Sequence, residues 1–382
     1  MAVYLSLKEI WRLRGRFLLI SLVIALITLL VLFVAGLAEG LGAGNIEYLS
    51  KLNADLIVFQ ENSQQQVSAS RLDRARLNDV ARLAGVAAVG PIGVSNAQII
   101  LPDSARPLDV SLLGVEPGLP GDVPVTRGRS FESRRANEVV IDLNTAARTK
   151  LTVGDSITLK TVQGTDEKFF TLTVAGVTDG RQYFLRPSVF APDITWDRIR
   201  TKGGEPGGEL AYNVFAVKLI DPARTQEMLK IIPQQVARVE TADIATAYRK
   251  TPGYAEQQAT LDTQRIFTLI IGVLVIGGFF QIQTLQKVPQ IGMLKAIGAP
   301  SRTVALASIF QVTVVTVIGV FIGAALTLLL AANFPVTVPI VFKANSTAIA
   351  IASLLLIGPI GGLVSVRYSL RIEPLRALGL GG

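Results

Sequence analysis

The chain has 382 residues, half of them hydrophobic, and carries a formal net charge of +8 at pH 7. It contains no histidine and no cysteine, which removes the usual general base and the commonest zinc ligands. The composition therefore excludes Ser/His/Asp hydrolysis, Cys/His catalysis and zinc catalysis within this chain. No phosphate-binding GxxxxGK[ST] loop occurs either, so we do not expect the chain to bind ATP by that route.

Four apolar segments are long enough to cross the hydrocarbon core of a membrane, which needs roughly 20 residues in a helix. The predicted spans are residues 17–38, 266–286, 303–332 and 344–366. Asn333, Pro335 and Pro339 interrupt the apolar pattern after the third span and predict an outer loop at residues 333–343. Because the first span exceeds the apolar region of a signal peptide, we expect an uncleaved anchor.

The positions of lysine and arginine near helix ends predict the orientation. Basic residues cluster in segments 1–16 and 287–302 and in the tail 367–382, whereas the large segment 39–265 is nearly neutral. Both termini and the short connection are therefore predicted on the cytoplasmic side of the cell membrane, with residues 39–265 outside. The basic balance reflects membrane anchoring, and we expect no nucleic-acid partner. Residues 1–16 have the spacing of an amphipathic helix at the inner interface.

Residues 39–265 alternate between strand-like and turn-like patterns with a few helical ones. Runs rich in β-branched and aromatic residues end at Gly, Pro or Asp, as strands do. The predicted strands are residues 55–60, 93–101, 108–115, 138–142, 156–162, 169–177 and 212–220. Helical spacing predicts surface helices at 71–83 and 222–231. The predicted fold is an α-helical membrane protein with four transmembrane helices and one large extracytoplasmic α+β domain between the first and second.

Four short blocks in this outer domain resemble a known family. They are RGRSF at 127–131, NEVVI at 137–141, LTVGDSI at 151–157 and FTLTVAGV at 170–177. Their order and spacing are similar to those of the periplasmic core domain of MacB/FtsX-type permeases. The resemblance implies the permease of an ABC-type transporter, in which two permeases work with two separate ATP-binding subunits. Since one chain carries a single set of four spans, a homodimer is the simplest assembly.

The cytoplasmic connection also resembles this family. The sequence QIGMLKAIGA at 290–299 is similar to the segment that docks on the ATP-binding subunit. An acidic residue often stands in place of Gln290 in the family, so the polar part of that contact differs here. The alternative is a simple interfacial linker. The residues that the resemblance assigns to ATPase coupling are Gln290, Ile291, Gly292, Leu294, Lys295, Ala296, Gly298 and Ala299.

Three segments are similar to the haem-efflux permeases of Gram-positive bacteria: KEI at 8–10, VLFVAGLAEGLG at 31–42 and PGYAEQ at 252–257. This resemblance implies haem as the transported substrate, with no intrinsic cofactor. Two alternatives within the family stay open. One is a MacB-like exporter of amphipathic drugs, peptides or lipids, and the other is an FtsX-like regulator that transmits mechanical change without cargo. For a membrane enzyme, we find no spaced catalytic constellation.

The composition restricts how haem would be held. Iron usually takes His, Cys, Met or Tyr, and since the first two are absent we expect an oxygen ligand. Glu39 is the first charge after the first span, where an acid is costly unless it has a partner or a task, so Glu39 is the candidate iron ligand. The other candidates are Phe33, Tyr254, Glu256 and Arg265. Plainer interpretations are a solvated helix end for Glu39, lipid contact for Phe33, and interfacial anchoring for Tyr254 and Arg265.

Overall fold

A computed structural model of the chain describes residues 8, 10–101, 106–202, 210–286, 288, 289, 293, 300–334, 338 and 340–370. The chain divides into two compact units. Leu41–Gln258 forms one, which we call the sheet unit. Met1–Gly40 and Ala259–Gly382 form the other, which we call the helical unit.

Helices and strands alternate through the sheet unit, and long helices make up the helical unit. The α-helices are α1 Arg14–Ser50, α2 Arg74–Ala81, α3 Leu143–Thr149, α4 Asp193–Ile199, α5 Thr225–Gln235, α6 Ile244–Arg249, α7 Tyr254–Gln286, α8 Ser301–Asn333 and α9 Ala344–Leu370. The strands are β1 Leu56–Gln60, β2 Leu72–Asp73, β3 Val86–Ile100, β4 Leu108–Val115, β5 Val125–Gly128, β6 Glu138–Ile141, β7 Ser156–Gln163, β8 Asp166–Thr178, β9 Ser188–Pro192, β10 Ala211–Tyr212, β11 Val214–Leu219 and β12 Val239–Asp243.

Among the described residues, three helices have the length and apolar composition needed to cross a membrane: Arg14–Ser50, Tyr254–Phe279 and Leu306–Asn333. The apolar part of α9 that the structure describes, Ala344–Leu356, is shorter, so the fourth span stays a prediction. The first helix is longer than its predicted span of 17–38, and the membrane boundaries also stay predictions.

Helices α1 and α8 pack closely through small residues on α8. A Cβ atom added to Gly319 would lie 2.6 Å from Ile24 Cβ, and one added to Gly323 would lie 2.5 Å from the Ala25 carbonyl oxygen. Small residues allow such backbone approach between apolar helices, where dispersion contacts replace the hydrophobic effect. Both glycines are therefore needed for this helix pair.

The strands β3, β4, β9, β6, β8 and β7 pair in that order, and β7 pairs again with β3, so the path closes into a ring. Strands β11, β1 and β12 extend the sheet from β3, and β5 adds to β8. All six strands of the ring contribute buried apolar side chains to one cluster. Alternating inward positions along each strand fill the interior of a small barrel in this way.

The four sequence blocks that resemble the permease family meet at one strand of this ring. Strand β8 pairs with β5, β6 and β7, which carry or adjoin the other three blocks. Gly128 has a φ of +84°, and a Cβ atom there would lie 2.4 Å from the Ala175 carbonyl oxygen. Only glycine fits both the left-handed backbone and the close approach.

Two local predictions need correction. The helix predicted at 71–83 begins only at Arg74, because Leu72 and Asp73 pair with β10. The Asp73 carboxylate then caps the helix by accepting the Arg76 N–H at 2.9 Å. The strand predicted at 212–220 is divided at Asn213. The Asn213 side chain accepts the Val94 N–H at 2.7 Å and donates to the Val67 carbonyl at 2.9 Å.

Candidate functional site

Glu39 has two polar partners within the helical unit. Its Oε1 forms an ion pair with Lys343 Nζ, and its Oε2 accepts a hydrogen bond from Ser346 Oγ at 3.4 Å. Ser346 lies in the first turn of α9. The dipole at that end of a helix favours a negative charge such as the Glu39 carboxylate. The Glu39 side chain is 24% exposed and that of Lys343 is 59% exposed. Glu39 is therefore an ion-paired carboxylate that solvent still reaches, and the interpretation as a simply solvated helix end is wrong.

The connection between α8 and α9 packs on the same part of α1. The rings of Phe33 and Phe334 lie 5.6 Å apart, and the Gly36 carbonyl oxygen accepts the Val341 N–H at 3.0 Å. A Cβ atom at Gly36 would lie 2.8 Å from the Phe342 ring. Since residues three apart lie on one side of a helix, Phe33, Gly36 and Glu39 form one surface. We call this surface, together with the Phe334 ring that packs on Phe33, the α1 face.

The remaining haem candidates lie on α7. Tyr254 and Glu256 occupy its first turn and belong to the sheet unit, whereas Phe33 and Glu39 belong to the helical unit. The Tyr254 ring meets the Tyr248 ring edge-on, with centroids 6.0 Å apart, and Glu256 is exposed. Arg265 lies further along α7, and its side chain is outside the described part of the chain.

The predicted ATPase-coupling residues, Gln290, Ile291, Gly292, Leu294, Lys295, Ala296, Gly298 and Ala299, lie outside the described residues. Met293, between them, is described and is helical. The coupling assignment therefore stays a prediction.

Sequence reasoning missed the partners of Glu39. A signal was present, because Lys343 is the one charge between two long apolar stretches, just as Glu39 is the first charge after another. Lone opposite charges at the ends of apolar segments favour pairing, since each is costly beside hydrocarbon without a partner. Ser346 and Phe334 carried no comparable signal.

The α1 face combines one reachable carboxylate with aromatic side chains. Among the residues that the structure describes, no group of three or more acidic side chains is placed to hold a metal ion. An exposed ammonium partner is easily displaced, because such ion pairs contribute about 0–1 kcal/mol.

In the described part of the chain, three helices have membrane-spanning length, and the sheet unit is inserted in the sequence between the first and the second. This order is that of an integral membrane protein with one large inserted domain. Residues 17–235 match the family model of the MacB-like periplasmic core domain, and residues 266–374 match that of the FtsX-like permease C-terminal region. The chain belongs to the MacB/FtsX family of ABC transporter permeases. Membership of this family implies that the chain is a membrane protein with an extracellular domain and that it works with an ATP-binding partner subunit.

Relatives match this chain from end to end. A protein of Staphylococcus haemolyticus named "Putative hemin transport system permease protein HrtB" is 25% identical over 375 residues, which cover 98% of this chain and 99% of that protein. An uncharacterised ABC transporter permease of Mycobacterium tuberculosis is 24% identical over 380 residues, 99% of each chain. The periplasmic region of MacB from Actinobacillus actinomycetemcomitans aligns with 51% of this chain and 90% of its own at 12% identity, with a TM-score of 0.37.

Proposed function

We propose that this chain is the permease subunit of an ABC-type exporter that removes haem from the membrane. The observation that carries the proposal is the match over 98% of the chain to a permease named for hemin transport. ATP is hydrolysed on a separate subunit, and two permeases assemble with two ATP-binding subunits. The chain spans the membrane four times, with both termini in the cytoplasm and the sheet unit outside.

Glu39 is the proposed ligand of the haem iron. In the structure, Lys343 forms an ion pair with the Glu39 carboxylate. When haem binds, a Glu39 oxygen takes the ferric iron and Lys343 moves to a propionate of the same haem. This exchange of partners is favourable. The ion pair between Glu39 and the exposed Lys343 contributes at most about 1 kcal/mol, and two interactions replace it, the bond to iron and the new propionate pair.

The aromatic residues of the α1 face supply the apolar part of the site. Phe33 and Phe334 already contact each other at 5.6 Å, and a flat porphyrin stacks on such rings with little loss of side-chain freedom. Tyr254 and Glu256, in the first turn of α7, and Arg265, further along it, are the other proposed substrate-binding residues. Closure of the ATP-binding subunits is transmitted through residues 290–299 to α7 and α8, which expels the cargo outward.

A haem titration of the purified permease with its ATPase tests this function. We expect a stoichiometric absorbance band in the wild type, retention of that band in Tyr254→Phe, and its loss in Glu39→Gln. The matched control is Glu47→Gln, since Glu47 lies further along the same helix and is also ion-paired, with Lys51 at 2.9 Å. An unchanged band in Glu39→Gln would remove Glu39 as the ligand. No band in the wild type would leave a MacB/FtsX permease whose cargo is another amphipathic molecule.

A further inference from the structure

The sheet unit contains a cavity of about 630 Å³ that the proposed transport site does not use. This volume lies within the usual range of small-molecule sites, about 300–1,000 Å³. The residues of its lining that matter here are Arg71, Val94, Phe184, Trp196, Arg200 and Asn213. Two arginines in one cavity are unusual, because like charges repel unless an anion lies between them.

The two guanidinium groups are only partly neutralised. Arg71 Nη1 donates to the carbonyl oxygens of Ser70 at 2.7 Å and Ser68 at 3.2 Å, and no carboxylate among the described residues forms an ion pair with it. Arg200 Nε donates to Asp197 at 2.7 Å, and Lys202 shares the same carboxylate at 3.6 Å. Two cations therefore share the Asp197 carboxylate, and Arg71 adds a further positive charge to the cavity.

The electrostatics agree with the geometry. Desolvation in the cavity wall and then the positive charge of Arg200 lower the pKa of Arg71. Arg71 counts among the exposed residues, so this desolvation is partial, and the guanidinium stays charged at neutral pH. A bound anion would relieve the repulsion between the two arginines.

Trp196 lines the cavity and positions one of its two cations, Arg200. Trp196 is 2% exposed, its Nε1 donates to the Leu112 carbonyl at 3.2 Å, and Arg200 lies 5.3 Å from its ring centroid. A cation over a tryptophan face is held in place by the ring quadrupole. Arg200 is therefore positioned before any ligand arrives.

Phe184 lines the same cavity with an apolar ring, and its backbone is strained. Phe184 and Leu185 have φ angles of +57° and +59°, a left-handed region that costs such residues about 1–3 kcal/mol each. Their N–H groups donate to the carbonyls of Asn45 and Gly44, both at 3.3 Å. The strained turn leaves Phe184 43% exposed. Local strain that exposes a large ring beside two cations points to a binding role.

We propose that this cavity binds a flat apolar molecule with two carboxylates, which pair with Arg71 and Arg200 while Phe184 contacts the apolar body. The choice of ligand rests on the proposed haem function, because haem carries two propionates on a flat ring. The cavity lining holds no histidine, cysteine or methionine. Tyr183 in the lining is buried, and burial raises the pKa of its hydroxyl, so it does not offer a phenolate to iron. Recognition therefore depends on the carboxylates and not on the iron, in contrast to the site at Glu39.

Metal-free protoporphyrin IX tests the proposal on the full-length permease in nanodiscs, with empty nanodiscs as the baseline. We expect Arg71→Gln/Arg200→Gln to weaken its binding about tenfold or more, since two charge-assisted contacts are lost. The exposed Arg82→Gln is the matched control and should bind as the wild type does. The dimethyl ester of protoporphyrin IX, which lacks the charges, should bind as weakly to the wild type as the acid does to the double variant.

The fluorescence of Trp196 reports whether the porphyrin binds in the cavity and whether the sheet unit is folded. The chain has two tryptophans, so Trp11→Phe leaves Trp196 alone, and bound porphyrin should quench its emission. The double variant could show the red-shifted emission of an unfolded sheet unit. In that case Arg71→Gln alone decides, because the hydrogen bonds of the Arg71 guanidinium within the described residues go to backbone carbonyls. Equal binding of acid and ester, or equal binding by a folded arginine variant, would overturn the cavity proposal. Arginine-dependent binding without haem-stimulated ATP hydrolysis would instead overturn the proposed function.

Discussion

Asp193 is a fully buried carboxylate at the start of α4 in the sheet unit. Arg134 Nε donates to it at 3.0 Å, and the Tyr212 hydroxyl donates at 2.7 Å. Arg134 also pairs with Glu116 at 3.2 Å. Burial, followed by the bond to Asp193, raises the pKa of Tyr212, so its hydroxyl stays a donor at neutral pH. This network ties α4 to β10 and to the segment before β6.

Removing the cation from that network should be costly. Arg134→Met leaves Asp193 buried without its ion pair, and we expect a loss of about 3 kcal/mol in the free energy of unfolding. The neighbouring Arg135 is exposed, so Arg135→Met should change it by less than about 0.5 kcal/mol. Pulse proteolysis of the full-length permease in urea measures both. Equal stability of the two variants would mean that the network contributes nothing.

Glu138 predicts how the stability of the sheet unit depends on pH. Burial acts to raise its pKa, but hydrogen bonds from Arg129 Nη2 at 2.7 Å and the Glu132 N–H at 2.7 Å outweigh it and lower the pKa. Because the pKa of Glu138 is lower in the folded state than its usual value of 4.5, the ionised side chain stabilises the fold above pH 4.5. This stabilisation is lost as the pH falls through the pKa of the folded state.

We therefore expect Glu138→Gln to be less stable than the wild type at neutral pH, with a difference that shrinks below pH 4.5. Hydrogen exchange of the β6 amides measures this difference across the pH range. Glu132→Gln is the matched control, because Glu132 also pairs with Arg129 but is 71% exposed. A pH-independent deficit in Glu138→Gln would show that packing, and not charge, stabilises this position.

At the scale of elements, the pairing of α1 with α8 depends on two glycines. A methyl group at Gly319 or Gly323 would lie within 2.6 Å of α1 atoms, and such overpacking costs roughly 1–3 kcal/mol. We expect Gly319→Ala and Gly323→Ala to reduce the fraction of permease that stays monodisperse after heating in detergent. Gly278→Ala on α7 is the control, since nothing lies within 4 Å of its added Cβ. Loss of stability in all three variants alike would refute a specific role for this helix pair.

At the scale of the whole molecule, the family assignment requires a partner that hydrolyses ATP. We expect purified complexes to have the mass of two permeases and two ATP-binding subunits. Ile291→Asp places a charge on the apolar side of the predicted coupling segment and should release the ATP-binding subunits. Ile220→Asp is the control, because Ile220 is 72% exposed in the sheet unit. Mass photometry separates these outcomes, and an intact complex with Ile291→Asp would locate the docking contact elsewhere.

The amino-acid sequence was enough to predict the permease family, the α+β class of the inserted domain and strands such as β1 and β4. Each of these depends on local composition, periodicity or a short motif, which neighbouring residues encode together. Strand β9, strand β12 and helix α4 escaped sequence analysis because short buried elements have too few residues to show a period.

The fold established the contacts that join distant parts of the chain. It paired Glu39 with Lys343, closed the ring of strands through β7, and brought Arg71 and Arg200 to one cavity. Residues that are far apart in sequence leave no local pattern of their pairing, because burial and register of whole elements determine which side chains meet. The sequence therefore identified Glu39 as a costly charge, and the fold supplied its partner.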